Sequence, residues 1–409
     1  MTPEIDGARL LGRLTALGQI GALAGGGVCR LALTDADKAG RDWLVAEMER
    51  LGMAVQIDAI GNIWGIRAGE RAGAPVMVGS HIDSVATGGL YDGALGVLAG
   101  LEMVETLNDR GIATEAPIAV AAFTNEEGAR FAPDMMGSGV YCGALDQGEM
   151  LAVTATDGLG VVGEELDRIG YRGSDAPVIP AAYLELHIEQ GPVLEQEGVR
   201  IGAVTGVQGI HWTEFTVTGQ TNHAGTTPMA LRRDAGQVAM RIAREADAIA
   251  AENGPPQVAT VGVFELSPGL VNVVPETARL TVDLRNTDGA VLEAATARLT
   301  AFAQAVAAEA GCAVSIREMA RFAPVVFDGG LVDKVAAAAQ ARQMSVKRMP
   351  SGAGHDAQMF APRCPTAMIF VPSENGLSHN IKEHSDPDDL AAGAQLLLDL
   401  VCTLAGARA

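Results

Sequence analysis

The chain has 409 residues, 48% of them apolar and 19% charged, which is enough apolar residue for the cores of two or three domains and excludes global disorder. Lys and Arg number 29 against 50 Asp and Glu, a formal net charge of −21. That balance excludes broad binding to nucleic acid or anionic membranes, whose phosphate contacts need a basic face.

Five scattered cysteines (Cys29, Cys142, Cys312, Cys364, Cys402) form no C-x-x-C pair and point to a reduced, cytoplasmic chain. No uninterrupted run of ~20 apolar residues is present, so a membrane span is not expected. Leu14 to Cys29 is fairly apolar, but Glu4 and Asp6 precede it and Gln19 and Gly25-Gly26-Gly27 interrupt it. It reads as a helix followed by a loop, not as a signal segment. Thr34-Asp35 can cap a helix through about Arg50, with Leu44, Val45, Met48 and Leu51 at helical spacing and Gly52 as its stop.

Three apolar runs then end in polar clusters. Pro75 to Gly79 leads into Ser80-His-Ile-Asp83, Ile118 to Phe123 into Thr124-Asn-Glu-Glu127, and Ala182 to Leu186 into His187-Ile-Glu-Gln190. Buried strands that deliver polar residues at their carboxyl ends are where open α/β sheets place their sites. From about Ile210 to Phe322 the rhythm changes to strand (His211 to Gly219), helix (Ala230 to Asn253), strands (Gln257 to Leu266, Thr277 to Asn286), helix (Asp288 to Ala310) and strand (Ala313 to Met319). This β-α-β-β-α-β order predicts an inserted ferredoxin-like α+β domain. The first pattern then resumes with a helix (Gly330 to Met344), a strand (Thr366 to Val371) and a closing amphipathic helix (Asp388 to Leu404). The expected organisation is an α/β catalytic domain of residues 1–209 and 323–409, with residues 210–322 inserted.

The chemistry-bearing residues gather at the strand ends. In His81-Ile-Asp83 the period of two puts both side chains on one side, so the imidazole can bind a metal while Asp83 takes its other ring N–H. Asp92 follows in a glycine-rich loop, Glu126-Glu127 offers a ligand beside a base, and His187 and His379 add nitrogen donors. Each alone reads as ordinary structure: a strand-end His is mostly hydrogen-bonded, a Glu pair mostly solvated, an Asp in such a loop mostly a turn residue. The conjunction at three strand ends carries the metal reading. Mixed His and carboxylate donors suit Zn²⁺ or Mn²⁺, with Co²⁺ and Ni²⁺ also accommodated, whereas Ca²⁺ prefers oxygen alone.

Gly79-Ser-His-Ile-Asp-Ser84, Tyr91-Asp-Gly-Ala-Leu-Gly96, Thr124-Asn-Glu-Glu-Gly-Ala-Arg-Phe131 and Leu186-His-Ile-Glu-Gln-Gly-Pro192 resemble the hydantoinase/carbamoylase-type amidases. These form the branch of the two-metal M20 peptidase superfamily that holds N-carbamoyl-L-amino-acid hydrolases, allantoate amidohydrolases and β-ureidopropionases. Gly219-Gln-Thr-Asn-His-Ala-Gly-Thr-Thr-Pro-Met229, Val271-Asn-Val-Val-Pro275, Ser351-Gly-Ala-Gly-His-Asp356 and Gly376-Leu-Ser-His-Asn380 continue the likeness in the family's order.

The resemblance implies a mixed-sheet, metallopeptidase-like catalytic domain whose insert serves as a dimerisation and lid domain. It implies two divalent ions bridged by Asp92, with His81 and Glu127 on different ions and His187 and His379 completing the set. Asp83 would orient His81, and Glu126 would be the general base. Gln190, His223, Asn272, Arg285 and Gly354 fall on substrate-binding positions, with Arg285 gripping a carboxylate and His223 stabilising the oxyanion from the partner subunit of a homodimer. His211 and His384 lie where the family's pattern requires no His, and His355-Asp356, which matches the pattern, is expected to shape the Gly354 loop rather than bind metal. Cys142 has no base nearby for nucleophilic work.

The implied activity is hydrolysis of the ureido C–N bond of an N-carbamoyl-L-amino acid to amino acid, CO2 and ammonia. Allantoate and N-carbamoyl-β-alanine are the rival substrates. An aminoacylase or dipeptidase is disfavoured by the motifs around His187 and His223. A catalytically silent binding protein is disfavoured because Glu126 and all five candidate ligands are present.

Overall fold

The structure, a computed structural model, describes residues 3–408. The chain divides into two compact units, Met1–Gly206 with Val326–Ala409, and Val207–Val325. The first is built on a mixed sheet whose strands neighbour one another in the order Ala54–Ile57, Ile63–Arg67, Ile118–Phe123, Val76–His81, Ala182–Ile188, Thr366–Val371 and Ile201–Val207. The four strands from Ile118–Phe123 to Thr366–Val371 are parallel, and antiparallel strands flank them. All four are buried along their whole length, which explains their near-continuous apolar runs: a strand covered on both faces has no solvent side to alternate with.

The helix Ala94–Asp109 packs on the strand Val76–His81 and on the closing helix Pro387–Leu404. It comes in close because Gly96 lies against the Leu186 carbonyl, where a Cβ would stand only 2.7 Å from the oxygen. Four aromatic residues cluster against the parallel strands. Tyr183 stacks on Phe360 with ring centroids 4.1 Å apart, and Phe123 and Tyr141 pack on the same Phe360 ring at 5.3 and 5.7 Å. This cluster supplies a stiff apolar floor under the polar strand ends.

The second unit is a four-stranded antiparallel sheet in the order Val258–Ser267, Thr277–Asn286, Gly209–Thr218, Ala313–Phe322. The helices Ala235–Asn253 and Gly289–Glu309 bury Ile242, Ile249, Leu292 and Leu299 in a core with Phe215, Leu280 and Leu284. The β-α-β-β-α-β order stands as read from the sequence, with a two-residue pairing of Asn222–His223 with Val273–Val274 added to it.

Several boundaries shift for local reasons. The helix expected from Ala230 begins at Ala235, because Asp234 caps it by accepting the Gln237 N–H and Met229–Leu231 forms a separate 3-10 turn. The last strand of this unit runs on to Phe322, past an irregularity between Glu318 and Ala320. The five cysteines are unpaired, and no helix among the described residues is long and apolar enough to cross a membrane.

Candidate metal centre and active site

The carboxyl ends of the parallel strands and two loops place the candidate ligands around one cleft of about 120 Å³. It is lined by His81, Asp92, Glu126, Glu127, His187 and His379 together with Gln190, Gly354, His355 and Asp134. Register explains part of this. His81 pairs with Phe123 across parallel strands, so Glu126 and Glu127 emerge just beyond it, and His187 pairs with Phe370 on the far side.

Asp92 stands between two donor sets. Its Oδ1 lies 3.2 Å from His187 Nε2 and 3.8 Å from His81 Nε2. Its Oδ2 lies 3.3 Å from His379 Nε2, which is also 3.2 Å from Glu127 Oε2. His81, Asp92 and His187 thus form one group able to surround an ion, and Asp92, Glu127 and His379 form another, the candidate ligand atoms of each lying within 4.8 Å of one another.

The imidazoles of His81 and His187 are oriented for this. His81 Nδ1 donates to the Asp83 backbone carbonyl at 3.0 Å, and His187 Nδ1 donates to the Ile188 carbonyl at 2.8 Å. In each ring one proton is therefore committed through Nδ1 to a main-chain carbonyl, and Nε2, facing Asp92, is the nitrogen that would give up its proton to a metal. This differs from the sequence reading in one respect. The main-chain oxygen of Asp83 holds His81, whereas its carboxylate lies at 3.8 Å and instead accepts the N–H groups of Glu126 and Glu127 at 3.3 and 3.4 Å. Asp83 thereby fixes the turn that carries both glutamates.

Electrostatics matches the geometry. Burial alone would raise the Asp92 carboxyl, but the His187 and His379 imidazoles hold it well below the usual carboxylate range. Burial opposes charge on His81, yet the carboxylates of Asp83, Glu127 and Asp92 push its pKa to about 9. Hydrogen bonds to Asp92 and Glu127 push His379 to about 10. Burial, followed by the Asp356 and Glu127 carboxylates, drives Glu126 well above the usual range. A negative field that draws protons onto buried imidazoles also draws a cation, and metal binding there would release those protons. The donor chemistry is consistent with divalent-metal binding.

The remaining expected residues fall in two groups. Gln190 and Gly354 line the cleft. The Gln190 amide donates to Asp92 Oδ2 at 3.1 Å, and its Oε1 is buried without a hydrogen-bond partner. His223, Asn272 and Arg285 belong to the second unit. His223 is exposed, and its Nδ1 accepts the N–H groups of Gly225 and Thr226 at 3.1 and 3.2 Å. Its proton is therefore held on Nε2, which is left as a donor. Asn272 is joined to the same hairpin through its carbonyl, which accepts the Ala224 N–H. Arg285 is engaged by Asp283 at 2.9 Å, two residues back on its own strand.

His384 lines a separate groove of about 540 Å³, and its ring lies 6.2 Å from that of Tyr91. His211 is tied to Thr296 at 2.8 Å. His355 is closer to the chemistry than the sequence indicated: its ring centroid is 4.5 Å from that of His187, and Glu185, His187 and His355 make a third, fully buried group. Glu185 and Glu383 were not singled out from the sequence. Glu185 shares a strand face with His187 at a spacing of two, a signal that was available; Glu383 follows His379 in a loop and carried none.

Residues 77–403 match the peptidase family M20/M25/M40. The N-carbamoyl-L-amino-acid amidohydrolase of Rhizobium meliloti is 42% identical over 97% of this chain and 96% of its own. The allantoate amidohydrolase of Escherichia coli strain K12 is 36% identical over 95% and 96%. A crystal structure of a hydantoinase/carbamoylase family amidase from Burkholderia multivorans matches with a TM-score of 0.96 at 45% identity, covering 98% of each chain. The chain is thus a member of peptidase family M20/M25/M40. Within it, the chain belongs to the hydantoinase/carbamoylase family of amidases.

Gly93 tests the centre without removing a ligand. It has φ +64, and a Cβ there would overlap the His81 ring. Gly93→Ala is expected to weaken Zn²⁺ or Mn²⁺ binding by roughly tenfold or more in a folded protein, as displacement of a ligand's support does elsewhere. Calorimetric titration of the demetallated variant checks this, and unchanged affinity contradicts it.

Proposed function

We propose that this protein is a binuclear metal-dependent amidohydrolase that cleaves the ureido C–N bond of N-carbamoyl-L-amino acids, releasing the amino acid, CO2 and ammonia. The observation that carries the reading is the pair of donor sets sharing Asp92, His81–Asp92–His187 and Asp92–Glu127–His379, together with the likeness to the Rhizobium meliloti amidohydrolase. In this reading the five residues hold two divalent ions, Zn²⁺ or Mn²⁺ with Co²⁺ and Ni²⁺ as alternatives. When bound, such ions acidify a water molecule and polarise the scissile carbonyl.

The chain's own residues do the rest. Glu126 takes a proton from the attacking water and returns it to the leaving amine nitrogen, and Asp83 holds Glu126 in place through its main-chain N–H. Gln190 and Gly354 seat the ureido group at the cleft. Arg285 receives the substrate carboxylate in a two-pronged grip in place of Asp283, with Asn272 beside it. His223, whose proton sits on Nε2, donates to the oxyanion.

We assign residues 1–209 and 323–409 to the catalytic domain and residues 210–322 to an inserted dimerisation and lid domain. The homodimer is supported by the edge strand Val258–Ser267, which exposes Val258, Phe264 and Leu266 beside an unpaired edge, a surface that a second copy would cover. His223 then serves the partner's site. The unpaired cysteines support a reducing, cytoplasmic setting. Allantoate is the alternative substrate, favoured by the Escherichia coli relative; N-carbamoyl-β-alanine ranks after it.

An ammonia-release panel of N-carbamoyl-L-amino acids, allantoate and N-carbamoyl-β-alanine, run with Mn²⁺ and with Zn²⁺, should give the highest kcat/KM on an N-carbamoyl-L-amino acid and none after chelation. Preference for allantoate, or full turnover without metal, overturns the assignment. Sharing of His223 has its own test. Inactive His223→Ala and Glu126→Gln chains, mixed under subunit exchange, should recover roughly a quarter of wild-type activity, since half the dimers are mixed and each has one good site of two. No recovery despite exchange places His223 in its own chain's site.

A further inference from the structure

We propose that Glu383 is a positioning residue that sets where the bridging Asp92 and the neighbouring His379 stand, without binding an ion itself. The inference rests on reading those two residues as ligands. Glu383 is 6% exposed. Its Oε1 accepts the main-chain N–H groups of Tyr91 and Asp92 at 3.1 and 3.2 Å, and its Oε2 is 3.2 Å from the Ser378 hydroxyl. The Ser378 hydroxyl is also 3.1 Å from Asp92 Oδ2. One carboxylate thus holds Asp92 through its backbone and shares the Ser378 hydroxyl with Asp92 Oδ2, the single proton serving one carboxylate at a time, and Ser378 directly precedes His379.

The need for such a tie follows from the topology. Asp92 lies between the strand Val76–His81 and the helix Ala94–Asp109, and His379 between the strand Thr366–Val371 and the helix Pro387–Leu404. Neither is on a strand, so the sheet does not fix their separation as it does for His81 and His187. A loop-borne ligand needs an outside support to keep an ion's geometry. The loop around Asp92 is shaped to this support: a Cβ at Gly89 would overlap the Glu383 carboxylate, so only glycine lets the chain pass. The two oxygens of Glu383 are taken up by the Tyr91 and Asp92 N–H groups and by the Ser378 hydroxyl. It stands outside the cleft-lining ligand groups. The carboxylate therefore serves as a bracket between two loops from opposite ends of the chain.

The test is calorimetric titration of demetallated wild type, Glu383→Gln and Glu383→Ala with Zn²⁺, with thermal unfolding of the same metal-free proteins. Glu383→Gln keeps an Oε1 for both N–H groups, and its amide can donate to Ser378 Oγ, so affinity should stay within about threefold. Glu383→Ala should lose 10- to 100-fold in affinity, of the order seen when supports of metal ligands are removed. A merely structural residue would lower the metal-free melting temperature and leave affinity alone. A folded Glu383→Ala protein that binds as wild type does overturns the inference. If that variant does not fold, Glu383→Asp decides, since it keeps the charge but shortens the reach: weakened binding is expected, and wild-type affinity overturns it. Wild-type protein that takes up no ion overturns the ligand reading, and this inference with it.

Discussion

Asp92 is almost completely buried, with one oxygen facing His81 and His187 and the other facing His379. Glu126 and Glu127 line the same cleft, with the Asp83 carboxylate bonded to their main-chain N–H groups. So many carboxyl groups cannot stay ionised in so little space unless positive charge lies among them. In the protein alone that charge comes as protons on the imidazoles, which is why His81 and His379 titrate high. A divalent cation meets the same demand more strongly, and the orientation of the rings favours it: the Nδ1 protons of His81 and His187 are committed to main-chain carbonyls.

The fold serves that concentration of charge in layers. The parallel strands fix His81, His187 and the turn bearing Glu126 and Glu127 over an aromatic floor of Tyr183, Phe123 and Phe360. Side chains that touch no substrate then set the details: the Asp83 carboxylate holds the glutamate turn, and Ser80 with the Ala357 N–H satisfies Glu185 behind His187. Glycines at 89 and 93 leave room where the Asp92 loop presses on Glu383 and His81. The second unit, by contrast, is a four-stranded sheet with a register irregularity in each edge strand and two helices capped by Asp234 and Asp288.

Much of this was legible in the sequence. Ile118–Phe123, Thr277–Asn286 and Thr366–Val371 were readable to the residue, because each is a short apolar or alternating run bounded by polar punctuation. The short flanking strand Ala54–Ile57 was missed, being only partly buried and carrying Gln56 mid-run, so no period stands out. At the site, residue types and strand ends were visible, whereas the division of labour within one residue was not. Period-two spacing puts His81 and Asp83 on one side, yet cannot say that the carbonyl of Asp83, and not its carboxylate, takes the imidazole proton. The Arg285–Asp283 pair was likewise readable as spacing but not as contact. The bracket formed by Glu383 joins segments some three hundred residues apart, and local pattern carries no trace of such a meeting.

The proposed function requires Asp92 to be shared by two ions. Anomalous diffraction from crystals loaded with Zn²⁺, collected on both sides of the zinc absorption edge, tests it most directly. Two peaks are expected flanking the Asp92 carboxylate, one beside His81 and His187 and the other beside Glu127 and His379. A single peak, or one centred instead on the buried group of Glu185, His187 and His355, would contradict it.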